Sequence, residues 1–272
     1  MSSSVSTRRR IRLRIGCAGW SIASAQRPLF DDGASGLERY ASRFDAVEIN
    51  SSFYRPHRRA TYERWAGAVP EDFRFAVKIP KAVSHEARLV GTGALLDAFL
   101  DQARGLGTKL ECLLLQLPPS LAFDARVAAT FLAMLRRRWA GGIACEPRHA
   151  SWFGAAADRL WQRHRIARVG ADPALCGEAR HSAGVDALRY WRWHGSPRMY
   201  YSAYDEEALQ AMAAQVLADM PRSGPAKAQA WVIFDNTAHG HAVTDALGFG
   251  RIAHRGALGR ASGSTTRAPD LA

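Results

Sequence analysis

AVEINSSFY, residues 46–54, is a short apolar run that closes in polar side chains, and seven runs of the same make recur along the chain. They are RIGCAGW (14–20), RFAVKIPK (74–81), CLLLQLPPS (112–120), IACEPRH (143–149), ARVGAD (167–172), LRYWRWHGS (188–196) and AWVIFDN (230–236). Amphipathic segments separate most of them. Strands alternating with helical patterns imply crossover units and a parallel sheet. Eight such units in about 240 residues match a (β/α)8 TIM-type barrel, typically about 250 residues long. A doubly wound open sheet is the competing architecture, but no GxGxxG follows the first strand, where a dinucleotide-binding sheet needs it.

Helix signals fall between the runs. Residues 92–104 and 124–138 carry apolar side chains at helical spacing, the second with Asp124 as its cap and Arg136 to Arg138 in its last turn. Asp205 opens a third, DEEALQAMAAQVLADM, with Glu206 and Glu207 in the acid-favouring first turn. The stretch DPALCGEARHSAGVDA between the sixth and seventh runs is short and broken by Pro173, Gly177 and Gly184, so that unit is expected to lack its helix.

Composition agrees with one domain. The 272 residues are 47% hydrophobic, enough for a large single core. Cys17, Cys112, Cys145 and Cys176 form no CxxC pair and read as reduced thiols, which points to a cytoplasmic protein. Neither a secretory signal nor a run of 18 apolar residues is present, so no membrane partner is expected. The net charge is +12, of which residues 1–14 carry +5 and residues 251–272 carry +3. Residues 1–11 and 251–272 are therefore expected to be disordered basic tails flanking a barrel over 12–250. Such tails bind polyanions weakly and without sequence preference.

Strand alternation sorts the polar side chains. Val47 and Ile49 must pack beneath helices, which turns Glu48 and Asn50 toward the barrel axis. The same rule sends Lys78, Gln116, Glu146, Arg148, Asp172 and His194 inward, with Asp235 or Asn236 from the last strand. Catalytic groups in this architecture sit at the C-terminal strand ends, where this ring lies. Mutual pairing, Glu48 with Lys78 or Glu146 with Arg148, is the alternative that requires no function.

The ordered set GCAGWS, VEINSSFYR, FRFAVKIPKAVSHEARL, LLLQLPPS, EPRHASWF, WRWHGS and FDNTAHGHAVTDAL resembles the YecE-like proteins grouped as domain of unknown function 72. The resemblance covers about residues 12 to 250 and implies a TIM-barrel-like fold without an established activity. Pro147 stands where that family commonly has an aromatic residue, and Asp235 precedes Asn236 where two asparagines are frequent.

The functional expectation is acid/base chemistry on a phosphorylated or otherwise anionic small molecule, in a hydrolase, lyase or isomerase whose reaction class is unassigned. Glu48 and Glu146 are the expected acid and base, Lys78 and Arg148 the groups that stabilise negative charge, and Asp172 and His194 complete the catalytic set. Ligand contacts are expected from Trp20, Asn50, Tyr54, Gln116, His149, Trp152, Gly195, Tyr200, Tyr204, Asp235 and Asn236. The segments after the last two strands, His194 to Ser196 and Asn236 to Gly240, resemble the phosphate-binding place of such barrels. No cofactor is predicted. A divalent metal is not favoured, because Lys78 and Arg148 would compete for the carboxylates. Two other readings stay open: a nucleic-acid-binding or processing barrel, phosphodiesterase-like and metal-dependent, using the tyrosines on an extruded base, and a ligand-binding module without catalysis.

Overall fold

The computed structural model describes residues 11–220 and 228–262, with side chains up to Arg255. The strands are β1 (Arg12–Cys17), β2 (Ala46–Ile49), β3 (Arg74–Lys78), β4 (Leu110–Gln116), β5 (Gly142–Glu146), β6 (Ala167–Arg168), β7 (Gly170–Asp172), β8 (Ala183–Gly184), β9 (Leu188–Trp193) and β10 (Gln229–Phe234). Helices α1 (Gly36–Ala41), α2 (Arg59–Gly67), α3 (Gly93–Ala103), α4 (Ala125–Arg138), α5 (Ala155–Arg163), α6 (Glu206–Asp219) and α7 (His241–Ser262) lie between and after them.

The fold is α/β with parallel sheets. One sheet has the order β1-β10-β9-β7 and the other β2-β3-β4-β5-β6-β8, and every pair is parallel except β6 with β8. The sixth run divides its pairing: Ala167 and Arg168 pair with β5, while Gly170 to Asp172 pair with β9. The two sheets approach again between β1 and β2, where Ala18 bridges to Glu48. Tyr40 closes this seam, its hydroxyl accepting from Cys17 N at 2.9 Å and donating to Ala46 O at 3.0 Å. Gly16 permits the approach, since a Cβ there would stand 2.2 Å from Ala46 O.

The helices begin where the sequence places their caps. Asp124 accepts from Arg126 N and Val127 N at the start of α4, and Asp205 accepts from Ala208 N at the start of α6. Between β7 and β9 the chain makes one 3-10 turn, Gly177–Arg180, in place of an α-helix. The expected tail boundary at residue 250 falls inside α7, whose backbone stays helical to Ser262. The remaining tail residues, 1–10 and 263–272, lie outside the described residues.

Alternation divides the side chains into two layers. Val47, Ile49, Phe75, Val77, Leu113, Leu115, Ile143, Trp191, Trp193, Val232 and Phe234 belong to the larger core, together with Leu96, Phe99 and Leu100 of α3 and Phe131, Leu132 and Leu135 of α4. Full burial of each large apolar side chain stabilises the fold by roughly 1.5–3 kcal/mol. The opposite face gathers Ala46, Ala76, Cys112, Leu114, Ala144, Ala167, Val169, Leu188, Tyr190, Trp231 and Ile233 into a second, inner cluster shared by both sheets. Above it, at the C-terminal strand ends, the inner face turns polar.

A buried arginine and its carboxylates form the candidate site

Arg192, next but one above Tyr190 on the inner face of β9, stands at the centre of the polar layer and is 0% exposed. Its Nε and Nη2 donate to the two oxygens of Glu48 at 3.0 and 2.7 Å, its Nη1 to Glu146 at 2.6 Å, and its Nη2 also to Asp235 at 2.9 Å. Three buried carboxylates from β2, β5 and the end of β10 thus share one guanidinium, whose planar fork suits such sharing. Tyr190 adds a hydrogen bond to Glu48 at 2.8 Å. His194 links two of the acids, with Nδ1 3.0 Å from Asp235 and Nε2 2.8 Å from Glu146. Arg148 reaches Glu146 at 2.6 Å from the solvent side.

The charges set the protonation of this cluster. Burial works against the Glu146 carboxylate, but Arg148, Arg192 and His194 outweigh it and hold the group well below the usual carboxylate range. Asp235 is likewise lowered, because Arg192 and His194 overcome its burial. Burial of Arg192 is outweighed in turn by Glu48, Glu146 and Asp235, which drive its guanidinium pKa up.

Lys78 differs from its neighbours. It is 4% exposed at the end of β3, with Nζ 4.1 Å from the centre of the Phe53 ring. Among the described residues, no carboxylate stands within ion-pair distance of Nζ, since Glu48, Glu146 and Asp235 pair with Arg192. Burial, with Arg192 adding to it, pushes the amine down to about 8.

The geometry gathers Glu48, Lys78, Glu146, Arg148, His194 and Asp235 at the strand ends, with Gln116 on the same face of β4. The pairing Glu146 with Arg148 is present, whereas Glu48 takes Arg192 rather than Lys78. Tyr200 lies edge-on to His194, its ring centre 5.6 Å away, and is 37% exposed over the layer. Gly195, at φ +91°, makes the turn that returns Tyr200 to this position.

The other expected site residues make contacts of their own. Asp172 is in register with Trp193, so it faces outward and accepts from the Tyr204 hydroxyl at 2.7 Å. The inward residues of that run are Ala167, Val169 and Ala171, because the wall is apolar there. Asn236 is one residue beyond Asp235 and donates to Ser202 O and Asp245. Trp152 is buried, donates to Leu121 O and stacks on Trp161, a packing position. His149 caps the Ala150–Trp152 turn through Ser151. Tyr204 is buried and also accepts from Gly195 N. Asn50 precedes the Ser51–Phe53 turn, Trp20 packs edge-on against Trp65, and Tyr54 is 68% exposed.

Arg192 and Tyr190 are the residues sequence reading missed. Their signal was available, since both share His194's alternation. Among the described residues, no three His, Cys, Asp or Glu side chains are gathered as metal ligands. The carboxylate lone pairs that would face a cation are turned onto Arg192. Nor is any described helix long and apolar enough to cross a membrane.

A family model described as "Protein of unknown function DUF72" matches residues 14–268. The UPF0759 protein YecE of Escherichia coli K12 is 35% identical over 165 residues, 58% of this chain and 60% of that protein. The UPF0759 protein YunF of Bacillus subtilis 168 is 29% identical over 147 residues, 51% of each chain. The chain thus spans between half and three-fifths of the curated relatives it matches. Among solved structures, a DUF72 family protein from Thermotoga maritima MSB8 superposes with a TM-score of 0.73 at 23% identity, covering 89% of this chain and 99% of that one. A DUF72 family protein from Enterococcus faecalis V583 gives 0.73 at 21% identity, covering 90% and 98%.

Proposed function

Since the chain belongs to the DUF72 family, whose membership brings no activity with it, the site itself must carry the reading, and we propose that it binds a small anionic molecule and moves a proton on it. In this reading both sheets form the wall of one (β/α)8-type barrel, and the ligand enters at the C-terminal strand ends. The observation that carries the proposal is the buried Lys78 amine, left without an anion while Glu48, Glu146 and Asp235 are all taken by Arg192. An ammonium in that position gains most from a ligand's negative group, and its neutral form is a base available near neutral pH.

Roles follow from what each side chain still has free. Glu48 and Glu146 are spent on Arg192, Tyr190, His194 and Arg148, so they serve as the charged frame rather than as acid and base. Arg148 offers a guanidinium to a carboxylate or phosphate, and its Nε has no partner in the fold. Tyr200 covers the ligand. The site is cytoplasmic in this account and needs no cofactor.

The test is thermal stabilisation by a panel of phosphorylated sugars, small carboxylates, nucleotides and short oligonucleotides, since a ligand that binds only the folded state raises the melting temperature. A response to small anions that Lys78→Met and Arg148→Gln both abolish is expected. A response confined to oligonucleotides, or one that both variants retain, overturns the reading.

A further inference from the structure

The chain carries 37 basic residues, of which only Lys78, Lys81, Lys109 and Lys227 are lysines. Arginine keeps its proton under all ordinary conditions and is no nucleophile, whereas lysine can lose its proton. Lys81 is exposed and paired with Glu86, and Lys109, at the start of β4, donates to Ala66 O and Val69 O. Lys227 lies outside the described residues. Lys78 alone of the described three is buried at the C-terminal strand ends, with its amine over the Phe53 ring and in no ion pair.

Building on the anion-binding reading, we infer that Lys78 is a covalent nucleophile that forms an imine with the carbonyl carbon of a small oxo acid, while Arg148 holds the acid group. A lysine amine desolvated beside an apolar surface and a second cation is the arrangement that makes amines nucleophilic, and Phe53 and Arg192 supply those two elements. With the amine at about 8 in place of 10.5, its neutral fraction at pH 7 is roughly 300-fold that of an ordinary lysine.

In the step itself, Nζ attacks the carbonyl carbon and the C–O π pair moves to oxygen. One proton leaves nitrogen and one joins oxygen, giving a carbinolamine. A further proton on that oxygen lets it depart as water while the nitrogen lone pair forms C=N. The net change is one amine, one carbonyl and one proton converted to a protonated imine and water.

Trapping tests this directly. The full-length protein is incubated with pyruvate or glyoxylate and sodium cyanoborohydride, whose hydride reduces an imine to a stable secondary amine, and the adduct is located by intact mass and peptide mapping. One adduct per chain at Lys78 is expected, at least tenfold above Lys81, and lactate or glycolate in excess should suppress it. Lys78→Arg should retain stabilisation by lactate while losing the adduct, which separates charge from nucleophilicity. Labelling that is equal at Lys78 and Lys81 overturns the inference. If pyruvate and lactate stabilise the protein equally and no adduct forms, the imine falls while the anion site stands. If no small anion of any class stabilises the protein and no adduct forms, both fall.

Discussion

Replacing Arg192 with leucine removes the guanidinium that Glu48, Glu146 and Asp235 share inside the protein. Removing one partner of a buried ion pair costs about 3–5 kcal/mol, because the other charge stays buried without compensation. Glu48 loses its cation here, while Glu146 keeps Arg148 and His194 and Asp235 keeps His194, so a loss within that range, up to about 5 kcal/mol, is expected at pH 7. For a domain of this size that corresponds to a melting temperature lower by roughly 10–20 °C. Urea unfolding followed by tryptophan fluorescence reads the loss, and its pH dependence identifies the cause. In the wild type, Glu146 and Asp235 titrate below their unfolded values, so the stability they lend is complete above about pH 4.5 and fades as pH falls further. In Arg192→Leu the same carboxylates lose one of the cations that hold them charged, and protonation relieves them. The gap between wild type and variant should therefore narrow as pH falls from 7 toward 4. Combining Arg192→Leu with Glu48→Leu should cost less than the sum of the single losses, since the two residues are in contact. A loss under about 1 kcal/mol at pH 7, the size of a surface pair, would refute the reasoning. A loss that is constant across pH would refute it equally.

Four further outcomes are expected. Lys78→Met should stabilise the unliganded protein at pH 7, because the folded-state amine titrates near 8 and the unfolded one near 10.5. That advantage fades as pH rises through the same interval, and differential scanning calorimetry from pH 7 to 10.5 measures it. Tyr204→Phe deprives Asp172 and Gly195 N of a partner and should cost about 1–3 kcal/mol in urea unfolding. Asp172→Asn should leave ligand-induced stabilisation unchanged, because Asp172 faces outward. Gly195→Ala places a Cβ 2.6 Å from Ser202 O at a positive φ, so a loss of about 1–3 kcal/mol and a weaker ligand response are expected in the same melting assay.

The α/β class and the parallel order were legible because strand alternation and helix caps are local signals. Asp124 and Asp205 cap the helices that the spacing of apolar residues predicts. The same alternation brought Glu48, Lys78, Gln116, Glu146, Arg148 and His194 to one face. Arg192 shares His194's alternation, but a fully buried arginine becomes plausible only once three acids from distant strands are known to meet it. Asp172 failed for the opposite reason. Polar-inward alternation held on five strands but not on the sixth run, where the inner face continues as Ala167, Val169 and Ala171. Asn236 lies past the last strand, where alternation no longer governs direction. The division of the sixth run between two sheets is a property of pairing, to which one strand's sequence is blind.

The central claim is that an anion belongs beside Lys78 and Arg148. Anomalous diffraction from crystals soaked in selenate would locate one. The account predicts a peak within hydrogen-bonding reach of both Lys78 Nζ and Arg148, absent in Lys78→Met. Selenate found only against exposed arginines elsewhere, with that place unlabelled, would contradict it.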